Sequence, residues 1–430
     1  FIPGRLFEDL GFRYIGPVDG HNTDLLIDTL STVSELKGPT LVHIITRKGK
    51  GYEIAEEKAD VWHGAKPFDI ATGEFKKGKK APPAYTNVFA ETLIELAKED
   101  EKIIGITAAM PDGTGMSKFG KVFPDRTFDV GMAEQHGVGF GGALSIEGFH
   151  PVIAIYSTFM QRAYDQIVHD IIGMNLPVTF AMDRAGIVGE DGATHQGLFD
   201  IAFMRTLPNM VVMAPKDENE LRHMLKTSIY HPGPCSLRYP RGSGLGVELD
   251  QEIKELEIGK GEVMKEGTDL AIIAFGSMVD SSMKTAVLLE EKGLSVAVIN
   301  ARFAKPIDED LIKEYAKKTG CLVTTEEHSV QGGFGSAVLE ALQNFDENIP
   351  LKVKCIGVPN IVVEHGAPNL IKRDLKLDPE GMFETIYSFF SGAAKTVSHD
   401  NGSKPSSGNG NRDLEKDVKK PIITREPING

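Results

Sequence analysis

Cysteine is scarce in this chain and positive charge is in deficit. Three cysteines among 430 residues, Cys235, Cys321 and Cys355, are odd in number, far apart and in no metal-type spacing, which argues against a disulfide framework or a zinc site. They read as buried thiols. Lys and Arg total 47 against 61 Asp and Glu, a formal charge of -14, so the chain repels nucleic acid. No apolar run approaches the roughly 18 to 20 uncharged residues of a membrane helix, and no signal-type segment opens the chain. These absences predict a cytoplasmic protein with neither a nucleic-acid nor a membrane partner. Also missing are a Walker-type phosphate loop, a G-x-G-x-x-G run with a ribose-binding acid, and a G-x-S-x-G elbow. Kinase, nicotinamide-dehydrogenase and hydrolase readings therefore fall away.

What is present is the profile of a folded α/β protein: 41% hydrophobic, 25% charged, 7% aromatic, with 46 Gly and 23 Pro. The length predicts two to three domains. The chain opens at Phe1 rather than Met, and residues 1–50 read as the end of a domain, with one αβ unit: a helix over 22–36 capped by Asn22, then an apolar run from Leu41. Residues 51–84 have no lasting period and read as a linker or active-site loop. Over 85–245, helical segments alternate with buried strand-like runs (KIIGIT, PVIAIY, PVTFAM, NMVVMAP, CSLRYP), and a second series (DLAIIAFG, SVAVIN, CLVTTEE, VKCIGV) fills 267–390 after a charged connection over 246–266. Such alternation predicts two doubly wound α/β domains with parallel sheets. After Phe390 the hydrophobic pattern stops, and 391–430 is expected to be disordered.

Three windows carry candidate chemistry. In TFDVGMAEQHGVGFGGAL (127–144) a strand leads into a helix that begins near Met132, with Glu134 in its first turn. The carboxylate either serves a ligand or satisfies the helix N-terminus. Each of the glycines that follow costs about 1 kcal/mol against Ala, which suggests close approach of another backbone or a flat ligand. In FAMDRAGIVGEDGATHQGLFD (180–200) a buried strand ends at Asp183 and Arg184, and a Gly-rich loop presents Asp191 and His195, where ligands bind in such sheets. RYPRG (238–242) adds Arg238 and Arg241, planar forks suited to phosphate or carboxylate, or to surface ion pairs.

In order and spacing, GPVDGHN (16–22), HIITRKGKGYE (43–53), WHGAKPFD (62–69), GMAEQHG, YSTFMQRAYDQIVHD (156–170), DGATHQG, LRYPRG and EEHSVQGGFGSAV (326–338) resemble the 1-deoxy-D-xylulose-5-phosphate synthases, a thiamine-diphosphate-dependent branch of the transketolase family. The resemblance covers residues 1–390. It implies a transketolase-like pyrimidine-binding domain and C-terminal domain, and a transferase that joins pyruvate, with loss of carbon dioxide, to glyceraldehyde 3-phosphate at the start of non-mevalonate isoprenoid synthesis. It implies that Glu134 bonds the aminopyrimidine ring of the cofactor and that Phe159 stacks on it, although ordinary helix packing would give Phe159 the same sequence. Tyr156, Arg184, Asp191 and Arg241 would surround the acceptor, the two arginines on its phosphate, with Arg238 a weaker candidate. His63 and His195 would handle protons at the reacting carbons. The third domain would serve packing or dimer contact.

One departure is large. No GDG motif with its partner Asn occurs in residues 1–430, so no metal site is assigned here, and Mg2+ with the cofactor diphosphate is expected on an N-terminal domain of which residues 1–50 are the end. The expectation is a chain inactive by itself, completed by that domain in a homodimer or by a complementary chain. Alternatives within enzymes are half of a split transketolase or a 2-oxoacid dehydrogenase β-type subunit. Outside them stands a non-catalytic partner of a full-length synthase.

Overall fold

A computed structural model describes residues 4–58, 61–65, 67–76, 81–345 and 349–397. They divide into two units, Phe1–Ala81 and Pro82–Gly430.

In the first unit, strands β1 (Arg13–Asp19) and β2 (Thr40–Ile45) pair in parallel across the helix Thr23–Ser34. Asn22 caps that helix, its side-chain oxygen accepting the Leu25 amide at 3.1 Å. The helix buries no residue, and Leu25, Ile27 and Leu30 remain 46%, 56% and 46% exposed. Two strands and one helix offer too little apolar surface to cover one another. The described residues among 51–76 are more ordered than their lack of period suggests. A short helix, Glu53–Glu57, and a 3-10 turn, Val61–Gly64, lead to a bridge between Phe68 and Phe75. The reason is an aromatic cluster: Trp62 stands edge-on to Phe68 at 4.5 Å and to Tyr52 at 5.2 Å, and meets Phe75 at 5.1 Å. Asp69 turns the chain between the two phenylalanines by accepting the amides of Ala71 and Thr72.

In the second unit the first six strands are β3 (Ile103–Thr107), β4 (Thr127–Asp129), β5 (His150–Tyr156), β6 (Thr179–Asp183), β7 (Val211–Met213) and β8 (Cys235–Arg238). The next six are β9 (Glu262–Lys265), β10 (Leu270–Ala274), β11 (Val296–Asn300), β12 (Phe303–Lys305), β13 (Cys321–Ser329) and β14 (Lys352–Val358). One sheet has the order β12-β7-β8-β6-β5-β3-β4 and the other β14-β13-β10-β11-β9. Every pairing is parallel except those of β12 and β9. The doubly wound expectation follows from burial: every residue of β3, β6, β10 and β11 is buried, as strands covered on both faces must be.

The two sheets are less separate than the charged connection suggests. β12, which follows the second series' β11, closes the edge of the first sheet, and one apolar cluster runs from Ile104 and Phe180 through Val212 to Ala301, Tyr315 and Phe334. Polar groups seal the same junction. Glu220, 2% exposed, accepts Asn300 Nδ2 at 2.9 Å and Arg302 Nε at 2.8 Å, while Lys216 bridges Glu220 and Glu262. The glycines after Glu134 also have a packing cause. A Cβ at Gly141 would lie 2.7 Å from Ile153 and one at Gly142 2.8 Å from Ile171, so at these two positions side chains of the core make the close approach. The last helix runs Pro379–Val397, seven residues past the point at which the sequence pattern fades, because its apolar face packs on helix Met278–Glu290 as far as Phe390 and helical hydrogen bonding carries the chain on. The rest of the expected tail, 398–430, lies outside the described residues. No described helix is long and apolar enough to cross a membrane.

Two buried titratable neighbours in β13 set a pH signature. Burial pushes the Glu326 carboxyl from 4.5 up to about 8, against the Gly335 and Phe334 amides that donate to it, and pushes His328 from 6.5 down to about 4. Folded Glu326 keeps a proton that the unfolded chain releases, so its stabilisation is complete below pH 4.5 and is lost as pH rises through about 8. His328 acts in the opposite sense between about pH 4 and 6.5, where the unfolded chain binds the extra proton. Of these two groups, Glu326 alone acts between pH 6.5 and about 8. Urea unfolding at several pH values should therefore show stability falling between pH 6.5 and 8 in the parent chain, with a flatter slope in E326Q.

Candidate active site

The carboxyl ends of β5, β6 and β8 meet in one region of the second unit. Tyr156 ends β5 and opens the short helix Ser157–Met160, which carries Phe159. Their rings stack at 5.9 Å, and His195 stands edge-on to Phe159 at 5.2 Å. Thr158 Oγ1 donates to the Thr194 carbonyl at 3.2 Å, which ties that helix to the loop holding His195. His195 Nδ1 lies 3.0 Å from Thr194 Oγ1, so its Nε2 is the nitrogen left to face a ligand.

Arg184 follows β6 in a left-handed conformation, φ +59°, and its amide donates to Asp183 Oδ1 at 2.7 Å. The guanidinium lies 4.0 Å over the Tyr156 ring, and its Nη1 donates to Asp183 Oδ1 and to the Gly113 carbonyl. Asp183 is wholly buried, and burial pushes its carboxyl up to about 6 even though Arg184 and Thr86 favour the charged form. Asp191 reaches between two guanidiniums, 3.9 Å from Arg184 Nε and 3.4 Å from Arg241 Nη1. Arg241, one third exposed, also donates to the Val188 carbonyl at 3.1 Å. Tyr156, Phe159, Arg184, Asp191, His195 and Arg241 thus form one run of contacts, aromatic at one end and cationic at the other.

Glu134 is the first residue of helix Glu134–Ile146, and its side chain is 6% exposed. Its setting is not simply apolar: Arg162 Nη1 donates to Oε2 at 2.8 Å and to the Met132 carbonyl at 2.9 Å. Among the described residues no hydrogen bond reaches Oε1. The His63 side chain lies outside the described residues; its backbone belongs to the turn Val61–Gly64. Arg238 is not part of the open site. It is 4% exposed, donates to both oxygens of Asp200 at 2.7 and 3.2 Å, and reaches the Gly197 and Glu327 carbonyls. A fork fitted to anions has been turned inward by a buried carboxylate.

Sequence reasoning missed two contributors. Arg162 stood inside the quoted 156–170 string, six residues after Tyr156, but its pairing with Glu134 needs a contact across 28 residues. Gly113 carries a signal only in three dimensions: a Cβ there would lie 1.6 Å from Tyr156 Oη, so the ring occupies space that only glycine leaves open. Among the described residues, no group of three or more His, Cys, Asp or Glu could hold a metal ion.

Breaking the Arg238–Asp200 pair strands a buried charge, so R238M should lower unfolding free energy by about 3 to 5 kcal/mol. R241A, at a partly exposed position, should stay within about 1 kcal/mol of the parent. Urea denaturation of both variants checks the contrast.

Residues 81–245 match the transketolase pyrimidine-binding domain, 259–382 the transketolase C-terminal domain and 1–46 the 1-deoxy-D-xylulose-5-phosphate synthase model. The chain is 54% identical over 376 residues to the 1-deoxy-D-xylulose-5-phosphate synthase of Heliobacterium modesticaldum, covering 87% of this chain and 58% of that protein. It is 53% identical over 388 residues to synthase 1 of Geobacter sulfurreducens, covering 90% and 61%. The chain therefore spans about three fifths of the length of these curated relatives. Among solved structures, a split-gene transketolase described as an inactive β4 tetramer is 35% identical, with a TM-score of 0.64 over 72% of this chain and 99% of that one. The transketolase of Campylobacter jejuni, 16% identical with a TM-score of 0.59 over 90% and 68%, shares the fold. By these matches the chain belongs to the transketolase family, on its 1-deoxy-D-xylulose-5-phosphate synthase branch.

Proposed function

We propose that this chain supplies the pyrimidine-binding and acceptor-binding side of a 1-deoxy-D-xylulose-5-phosphate synthase. The reaction is the decarboxylative joining of pyruvate to glyceraldehyde 3-phosphate, the first step of non-mevalonate isoprenoid synthesis. The observation that carries this reading is the continuous run from Phe159 and Tyr156 through Arg184 and Asp191 to Arg241, which suits a flat ring at one end and a phosphate at the other.

The residues present fit the pyrimidine end of thiamine diphosphate. A buried carboxylate with one oxygen held by Arg162 and the other without a hydrogen bond among the described residues is suited to share a proton with a ring nitrogen, and the half-buried Phe159 offers a stacking face. When bound, thiamine diphosphate supplies the nucleophilic carbon and the electron sink for decarboxylation. Glu134 would orient that end. His195 Nε2 would hold or move a proton at the acceptor's reacting oxygen. Arg184 and Arg241 would bind the acceptor phosphate, with Asp191 keeping both guanidiniums aimed in its absence. Arg238 is left out, because it is 4% exposed and its Nε and Nη2 are engaged by Asp200 and two carbonyls. His63 is carried forward as a proposed proton-handling residue. Mg2+ and the cofactor diphosphate are assigned to a diphosphate-binding domain, on the same polypeptide or on a complementary chain, in a cytoplasmic assembly built as a homodimer. The likeness to a split-gene transketolase favours considering the complementary chain.

The test combines this chain with the diphosphate-binding portion of the Heliobacterium relative, thiamine diphosphate and Mg2+, and follows product formation from pyruvate and glyceraldehyde 3-phosphate by NMR. E134Q should lower kcat by about 100-fold or more, the scale of a lost proton-transfer partner. R241A should raise KM for glyceraldehyde 3-phosphate by about tenfold while pyruvate KM stays unchanged, because only one substrate carries the phosphate. G113A should act like R241A by displacing Tyr156 and, with it, Arg184. Better turnover with ribose 5-phosphate than with glyceraldehyde 3-phosphate would replace this reading with the transketolase one.

A further inference from the structure

Much of the hold on the loop that bears Asp191 and His195 comes from the C-terminal domain. Gly186 and Gly197 close its base through mutual backbone bonds of 2.7 and 2.8 Å. From β13, Glu327 Oε1 accepts the Ile187 amide at 2.7 Å across 140 residues, and the Ser329 amide donates to the Leu198 carbonyl at 3.0 Å. Further along, the Gly366 amide donates to the Gly189 carbonyl at 3.3 Å and Gln196 Nε2 to the Glu364 carbonyl at 3.2 Å. The fit at Glu327 is close. Gly186 has φ +84°, and a Cβ on it would lie 2.6 Å from Glu327 Oε1.

Glu327 is 1% exposed, an expensive place for a carboxylate. Its other oxygen accepts Ser277 Oγ at 3.0 Å and pairs with Lys372 Nζ at 2.6 Å, from helix Pro368–Asp374. Burial alone would raise its pKa, but Lys372, the Ile187 amide and Ser277 hold it below the ordinary value, so it is ionised at neutral pH. An apolar contact would anchor the loop equally well if packing were the whole purpose. A charged acceptor aimed at one amide instead sets the path of the chain four residues before Asp191. It also fixes the Val188 carbonyl that receives Arg241 Nη1.

We propose that Glu327, held by Lys372, is a positioning residue through which the C-terminal domain sets the acceptor-facing loop and so takes part in selecting the phosphorylated acceptor. The acceptor half of this statement rests on the synthase reading above; the brace does not.

Hydrogen exchange on the 430-residue chain separates the two. K372M and E327Q should speed exchange of amides in residues 186–197 by about tenfold, the scale of one lost charge-assisted hydrogen bond, with Ile103–Thr107 unchanged. K372R should restore protection. In the combined synthase assay, K372M should raise KM for glyceraldehyde 3-phosphate about fivefold or more and leave pyruvate KM within about twofold. Unchanged loop exchange in K372M, whose side chain is partly exposed, overturns the brace. So does loosening throughout the second unit. A loosened loop with both KM values unmoved, or moved together, overturns the role in acceptor selection. Loop-specific loosening in a parent chain that makes no product retains the brace and rejects the synthase reading with its acceptor clause.

Discussion

Arg238 is the point on which the second unit turns. Its guanidinium, at the end of β8, binds both carboxylate oxygens of Asp200, the Gly197 carbonyl at the base of the ligand-facing loop, and the Glu327 carbonyl in the other sheet. Five donors on a rigid plane can join three separate chain segments in one buried place, which no lysine or apolar side chain can do. The charge survives there because Asp200 neutralises it at 2.7 Å and Nη2 also donates to the Gly197 and Glu327 carbonyls. The path of the loop from Gly186 to Asp200, and with it the position of His195 and Asp191, depends on this junction.

Around that junction the two sheets divide the work. The first presents the carboxyl ends of β5, β6 and β8, and so supplies the stacked rings of Tyr156 and Phe159 and the cationic pair Arg184 and Arg241. Among the described residues the second supplies no group that touches this run of contacts, yet its Glu327 and Ser329, with Glu364 and Gly366 beyond β14, hold the loop on which the remaining polar groups stand. β12 and the cluster around Glu220 make the two sheets one packed body, so that loop position is inherited from a rigid base.

Local chemistry is equally economical. Arg184 accepts a left-handed backbone, ordinarily unfavourable for a residue with a Cβ, because Asp183 takes both its amide and its guanidinium. Gly113 leaves room for the Tyr156 hydroxyl, and its carbonyl takes Arg184 Nη1, so one loop residue shapes both neighbours. Glu134 is placed at a helix N-terminus, where the dipole and Arg162 both favour a carboxylate.

The sequence by itself determined the parallel α/β architecture, since buried strand runs alternating with helices have few other solutions, and it marked the windows holding Glu134, Arg184, Asp191, His195 and Arg241. Those features are local: period, glycine placement and residue type at strand ends. Tertiary structure alone decided which of two neighbouring arginines is open, turning Arg238 inward to Asp200 and leaving Arg241 partly exposed, because the difference lies in a carboxylate 38 residues away. It also decided that Arg162 meets Glu134, that the glycines at 141 and 142 answer to Ile153 and Ile171, and that Glu327 reaches Ile187. Each of these is a contact between distant segments, and such contacts are written in the packing of the sheets rather than in any stretch of neighbouring residues.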